Sequence, residues 1–306
     1  MREKVNFERE AYEMEMSTKP VLGFIGIGVM GESMVRNLIN AGYRTLIYTR
    51  TKHKAEALVN EGAEWQESVK DLSSKADVIL TMVGYPKDVE EVYIGENGIL
   101  ENARPHSILI DMTTSSPALA EEIYQHALSK QIYALDAPVS GGDVGAREGK
   151  LSIMVGGELE TFEQVKPVLG VMGQNIVLQG PAGAGQHTKM CNQIAIASNM
   201  IGVCEAIVYA EKAGLNPTTV LESIGSGAAG SWSLSNLAPR MISNRLEPGF
   251  YVKHFIKDMT IALESAKKMG MLTPGLELSK QLYEDLAKRG EEDSGTQALV
   301  KLFREN

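Results

Sequence analysis

Six residues near the start of the chain restrict its fold more than any others. Gly26-Ile27-Gly28-Val29-Met30-Gly31 directly follows a short apolar run, residues 21–25, and opens an amphipathic stretch, residues 30–41, that stops at Gly42. Glycines at these positions permit a tight turn and let backbone N–H groups approach a pyrophosphate. The N-terminus of the helix that follows then stabilises the anion's charge. Glycine loops are common, so the pattern alone says little. Between a strand and a helix it marks a dinucleotide site.

The rest of the first half keeps the same rhythm. Strands are expected at residues 44–48, 77–83, 107–110 and 132–136, with helices at 52–60 and 117–130. Ser116 is expected to cap the second of these, with Pro117 in its first turn. Residues 151–155 and 176–178 read as two further strands around a helix near 159–169. Strands alternating with helices at this spacing imply βαβ units and a mostly parallel sheet. The texture changes at Gly180-Pro181-Ala182-Gly183-Ala184-Gly185. Beyond it no strand pattern stands out. Residues 186–213 are apolar on nearly every side and read as a helix buried all round. Shorter helices follow, one begun by Thr273-Pro274. The fold expected is α/β: a Rossmann-type doubly wound sheet over residues 20–182, followed by an all-α domain over 183–306. Residues 1–19 form a Glu-rich N-terminal extension, read as a solvated arm with neither secretory nor transit character.

Composition narrows the partners. The net charge is −9 and no block of Lys or Arg occurs, which argues against a nucleic-acid footprint but not against a small anion. The longest apolar stretch, near 194–210, contains Asn199 and Glu205, so it reads as a core helix rather than a membrane span. Cys191 and Cys204 fall on that one helix about 20 Å apart, too far for a disulfide. A cytoplasmic setting fits. No His, Cys and carboxylate spacing suits a metal.

The end of the second strand selects the dinucleotide. NAD sites usually place an acid there for the ribose 2′-hydroxyl. Here Tyr48-Thr49-Arg50-Thr51-Lys52-His53-Lys54 has no acid and three cations. Arg50 can grip a 2′-phosphate in a bidentate fork. Thr49 and Thr51 offer hydroxyls and Lys54 a further charge. NADP is therefore expected, with NAD possible.

Two segments carry the remaining chemistry. In Asp136-Ala137-Pro138-Val139-Ser140-Gly141-Gly142, at a strand end, Ser140 and the N–H groups of Gly141 and Gly142 suit a nest for a carboxylate. A glycine-rich turn into the next strand would look the same. In Gly183-Ala184-Gly185-Gln186-His187-Thr188-Lys189-Met190-Cys191-Asn192-Gln193, Lys189 is expected in the first turn of a buried helix. Burial and the dipole both depress its pKa, as proton exchange near neutrality requires. A snorkelling lysine with its head in water is the alternative. Lys189, Asn192 and Gln193 share a face. His187 and His254 read as surface or structural.

Taken in order with Lys257-Asp258, these motifs resemble those of the β-hydroxyacid dehydrogenases, over residues 20 to 300. That family includes 3-hydroxyisobutyrate dehydrogenase, tartronate semialdehyde reductase and glyoxylate/succinic semialdehyde reductase. The resemblance implies that Lys189 is the catalytic acid/base and that Asn192 holds substrate or the lysine. It implies that Ser140, Gly141 and Gly142 bind the substrate carboxylate. Thr114 would lie by the nicotinamide, Met82 and Val83 by the cofactor ribose, Lys257 and Asp258 near the nicotinamide end, and Phe250 in the substrate wall. It also implies that the helical half joins subunits into a homodimer or homotetramer. Gln193 stands where many relatives have a second Asn, which leans toward the tartronate branch. Arg50 departs from the NAD-using hydroxyisobutyrate enzymes. Three alternatives remain. A 6-phosphogluconate dehydrogenase needs a larger helical domain. Imine reductases and non-catalytic modules on this fold usually lack the lysine.

Overall fold

In the computed structural model, which describes residues 19–305, nine strands form one sheet. They are β1 (Leu22–Ile25), β2 (Thr45–Tyr48), β3 (Glu64–Trp65), β4 (Val78–Thr81), β5 (Ile108–Asp111), β6 (Tyr133–Asp136), β7 (Val139–Ser140), β8 (Leu151–Gly156) and β9 (Gly173–Gly180). The order is β3-β2-β1-β4-β5-β6-β8-β7, with β9 paired to β8. Strands β1 to β6 are parallel, and β8 runs antiparallel to β6 and β7. The order reverses between β1 and β4, which is where open α/β sheets hold their ligands.

Parallel strands must be covered on both faces, so they read as unbroken apolar runs. β1, β4 and β5 are buried along their whole length. Helix α1 (Val29–Asn40) packs Met34, Val35 and Leu38 on one face, beside Phe162 and Val165 from α5 (Leu159–Leu169). Helices α2 (Pro86–Ile94) and α3 (Pro117–Ser129) cover the other face through Val89, Tyr93, Ile123 and Ala127. The short α4 (Gly142–Arg147) lies between α3 and α5 in sequence. A second core forms in the helical half, where α6 (Ala184–Lys212) packs on α7 (Val252–Lys268) and α8 (Pro274–Leu286) through Met200, Cys204, Phe255, Met259 and Tyr283.

Several expectations change. The two-residue strands β3 and β7 were not foreseen, because two residues cannot show a period, and β9 is longer than the 176–178 expected. Ser116 holds the cap position of α3 without a side-chain capping bond, while Pro117 opens the helix as expected. Helix α6 is not buried all round. Cys191, Ala195, Ser198, Gly202, Glu205 and Tyr209 form one outward stripe, because small and polar residues recur there every three to four positions. By length and composition α6 is apolar enough to cross a membrane. Here it lies against α7, α8 and β8 with Lys189 and Gln193 buried in its inner face. Because α6 begins at Ala184, Lys189 sits in its second turn rather than its first. Both cysteines are free, and burial pushes the Cys204 thiol up to about 12. The expected arm at residues 1–18 lies outside the described residues. Lys19 donates to the Ala41 carbonyl and lies over the Tyr43 ring.

Candidate active site

The site begins at the switch point of the sheet. Gly26 has φ +107°, and a Cβ there would sit 2.1 Å from the Met82 carbonyl. A Cβ on Gly31 would lie 2.0 Å from the Gly26 carbonyl. These two glycines let the turn fold onto β4 and itself. Gly28 differs: a Cβ there meets nothing within 4 Å. It faces open space at the N-cap of α1, which is the cradle a pyrophosphate needs. The residues present therefore fit a dinucleotide.

Beyond β2, Arg50 is 74% exposed at its side chain and pairs with the nearly buried Asp88 at 3.2 Å. Asp88 also accepts from the Tyr85 N–H, closing the first turn of α2. Lys52 is turned away, bonded to Glu67 at 2.9 Å and lying over Trp65. Thr49 and Thr51 are half-buried and Lys54 is exposed.

Deeper in, the turn after β5 carries Thr114. The Thr113 hydroxyl accepts from the Val83 N–H at 3.0 Å, which ties this turn to Met82-Val83. Lys257, on α7, donates to the Thr114 carbonyl at 2.7 Å. Beneath it Asp111 accepts from Thr81 and from the Thr113 N–H. Burial raises its carboxyl to about 6.

Helix α6 supplies the centre. Gln186, Lys189 and Gln193 are all buried on its inner face, and each reaches a different wall. Lys189 donates to the Val139 carbonyl at 2.8 Å. Gln193 donates to Asp258 Oδ2 at 2.6 Å and accepts from Asn192 at 2.7 Å. Asp258 Oδ1 makes no hydrogen bond but has Lys257 Nζ at 3.0 Å. Lys189 is only 6% exposed, so it does not snorkel. Burial pushes its ammonium down to about 8; Asp258 pulls it back up and Lys257 adds to the depression.

Val139 leads into Ser140-Gly141-Gly142. Gly141 and Gly142 have φ +132° and +63° at the start of α4, a left-handed turn that other residues would strain. Gly249 lies so close to Asp143 that a Cβ would sit 2.4 Å from its Oδ1. The adjacent Phe250 packs on Phe255, with ring centroids 5.4 Å apart. His254 is half-buried between Tyr85 and Tyr251, and burial together with Lys257 lowers its pKa. His187 is exposed.

The arrangement joins a phosphate cradle to a buried lysine of depressed pKa beside an anion-sized turn. Comparison with known proteins gives the same picture. Residues 21–180 match the family model described as the NAD binding domain of 6-phosphogluconate dehydrogenase, and residues 183–303 the model described as NAD-binding of NADP-dependent 3-hydroxyisobutyrate dehydrogenase. The 2-hydroxy-3-oxopropionate reductase of Escherichia coli is 39% identical over 280 residues, 92% of this chain and 96% of that relative. The chain belongs to the β-hydroxyacid dehydrogenase family. The uncharacterized oxidoreductase YkwC of Bacillus subtilis is 64% identical to this dehydrogenase over 285 residues, 93% of this chain and 99% of the relative. Among solved structures, the 3-hydroxyisobutyrate dehydrogenase of Mycobacterium tuberculosis with L-serine superposes with a TM-score of 0.85 at 30% identity, over 94% of this chain and 100% of the other. The protein is thus an NAD(P)-dependent dehydrogenase of hydroxy acids.

The dehydrogenase also uses residues that sequence reasoning missed. Asp136 accepts from the Gly183 and Gln186 N–H groups at 2.8 and 2.7 Å, capping α6 from the end of β6. Burial raises its carboxyl, and those bonds oppose the shift. Gly185 is a close-approach glycine: a Cβ would lie 2.4 Å from the Met154 carbonyl. An acid at the end of an apolar strand was the available signal.

Proposed function

We propose that this dehydrogenase interconverts a small carboxylate-bearing semialdehyde and its β-hydroxy acid with NADP(H), with Lys189 as the proton donor and acceptor. The observation that supports this most is the buried Lys189 ammonium on the carbonyl of Val139, next to the Ser140-Gly141-Gly142 turn. Ser140 and the N–H groups of Gly141 and Gly142 hold the carboxylate. That places the neighbouring carbonyl carbon toward Lys189, which stabilises the developing alkoxide and protonates it. Asn192 orients the substrate, Gln193 fixes Asn192 against Asp258, and Phe250 supplies an apolar wall. The charges acting on Lys189 are Asp258 and Lys257; with Lys189 protonated these three leave one positive charge, which suits a monoanion.

The cofactor, when bound, supplies or accepts the hydride. Gly26, Ile27, Gly28, Val29 and Met30 leave room for its pyrophosphate, with Met82, Val83 and Thr114 along its ribose and nicotinamide. Lys257 and Asp258 close that end. Arg50, with Thr49, Thr51 and Lys54, takes the 2′-phosphate. Residues 49–54, which follow β2, contain no acid of the kind an NAD site uses, and the acid nearby, Asp88, is paired with Arg50. The outward stripe of α6 supports a homodimer or homotetramer, and the two free cysteines fit a cytoplasmic enzyme.

The test is oxidation of NADPH, and separately NADH, with tartronate semialdehyde, glyoxylate, succinic semialdehyde and methylmalonate semialdehyde. Turnover of one of them with NADPH preferred is expected. Gln193 favours tartronate semialdehyde, which is the 2-hydroxy-3-oxopropionate of the E. coli relative's name. The L-serine in the M. tuberculosis structure favours a second reading, oxidation of a β-hydroxy amino acid, so L-serine with NADP and NAD completes the panel. No turnover in any arm would overturn both readings.

A further inference from the structure

Three consecutive residues of the turn after β5 are held from the helical half. Gln186 Nε2 donates to the Thr113 carbonyl at 2.7 Å. The Ser115 N–H donates to Gln186 Oε1 at 2.9 Å. Between them Lys257 donates to the Thr114 carbonyl at 2.7 Å. A carbonyl and an N–H two residues apart form the pairing edge of an extended strand, and a primary amide presents a donor and an acceptor side by side. The Gln186 side chain therefore acts as a one-residue strand for residues 113–115. It is fully buried, so both bonds form away from water. Its own N–H is fixed by Asp136 at 2.7 Å. One helical turn onward on the same face stands Lys189.

We propose that Gln186 is a positioning residue that sets the distance between Thr114 and Lys189, and so between the bound nicotinamide and the proton donor. The idea rests on the functional reading above. The link runs from Val83 through the Thr113 hydroxyl, through the Gln186 amide, and along one turn of α6 to Lys189 and Val139. Both sides of the reaction hang on it, though Gln186 itself touches neither substrate nor cofactor. A misplacement of about 1 Å at a reacting centre can cost about a hundredfold in rate.

Gln186→Glu gives the decisive test. A protonated carboxyl can donate to Thr113 O while accepting from Ser115 N–H; a carboxylate can only accept, and it would face the Thr113 carbonyl. The kcat of Q186E, taken relative to wild type, should fall about tenfold or more as pH rises and recover at low pH. Gln186→Leu should lose kcat by about tenfold to a hundredfold at every pH. The KM for NADPH should stay within about threefold in both variants, because the turn still meets the cofactor. Amide hydrogen exchange gives a second readout that needs no turnover: residues 113–115 should lose protection in Q186L, and in Q186E only at high pH. A pH-independent Q186E ratio, or kcat and KM moving together with a loss of protection across the whole chain, would leave Gln186 as packing and overturn the proposal. If wild type turns over no substrate, the functional reading fails, and unchanged exchange at 113–115 overturns the role of Gln186 independently.

Discussion

The two ends of the cleft are built on opposite principles. At the β2 terminus, Arg50 is a water-exposed cation with one ion-pair partner, Asp88. At α6, Lys189 is stripped of water and held by one carbonyl. Solvent screens the first, and its exclusion strengthens the electrostatics of the second. The exposed end can therefore change with little effect on the fold, whereas the buried end carries a desolvation cost that the rest of the fold must offset.

The largest expected contrast comes from Lys189→Met. Turnover should fall by about a hundredfold to ten-thousandfold, the usual worth of a general acid. Stability should move the other way. Burial has lowered the folded pKa from 10.5 to about 8, so the unfolded chain holds the extra proton between those values. The cost of the buried charge is fully present below about pH 8 and is relieved as pH rises toward 10.5. That shift corresponds to about 3 kcal/mol, less about 1 kcal/mol for the lost bond to Val139. Chemical denaturation at pH 7 should thus show a gain on the order of 2 kcal/mol that disappears above pH 10. A variant that is less stable at pH 7 would contradict the desolvation argument.

Arg50→Asp probes the other end. It should raise the KM for NADPH about tenfold, near the lower bound for charge-assisted bonds because the site is wet, and leave NADH and melting temperature nearly unchanged. An equal loss for both cofactors would remove Arg50 from the 2′-phosphate. The pH profile separates the ends further: reduction should decline as pH rises through about 8, where Lys189 loses its proton, and oxidation should gain there. A profile flat through that range would mean another group donates the proton.

The smallest effect is expected beneath the nicotinamide turn. The Asp111 carboxyl is raised from 3.8 to about 6, so the folded state holds the extra proton between those values and stability falls as pH climbs from about 4 to 6. Asp111→Asn keeps an acceptor for Thr81 and the Thr113 N–H. The shift corresponds to about 3 kcal/mol, less about 2 kcal/mol because a neutral amide accepts more weakly from Thr81 and the Thr113 N–H, so the variant should gain on the order of 1 kcal/mol at pH 7 and nothing below about pH 4. Urea titrations at both pH values would show whether the gain follows the proton.

Much of this was legible in the chain. Short apolar runs alternating with helical stretches gave the parallel strands, and the order of motifs gave the family and the residues around Lys189. Gln186 and Asp136 lay inside quoted motifs, yet their roles depend on partners 47 to 73 residues away, and no local pattern encodes such a pairing. The outward stripe of α6 was missed for a related reason. Ala195, Ser198 and Gly202 are small enough to count with the core by hydropathy, and only the packing of α7 and α8 reveals which side they take. Arg50 was read as a grip for a 2′-phosphate, and its ion pair with Asp88, 38 residues on, had no local signal.

One motif of three glycines also answers to two kinds of selection. Methyl groups at Gly26 or Gly31 collide with the chain's own carbonyls, so those positions are policed by folding. At Gly28 the same methyl meets only vacant space and the backbone is extended. Folding sets no such restraint at Gly28, and a bound ligand would. A lineage that no longer needed its dinucleotide would drift first at Gly28, still folded and soluble, while the glycines on either side stayed fixed.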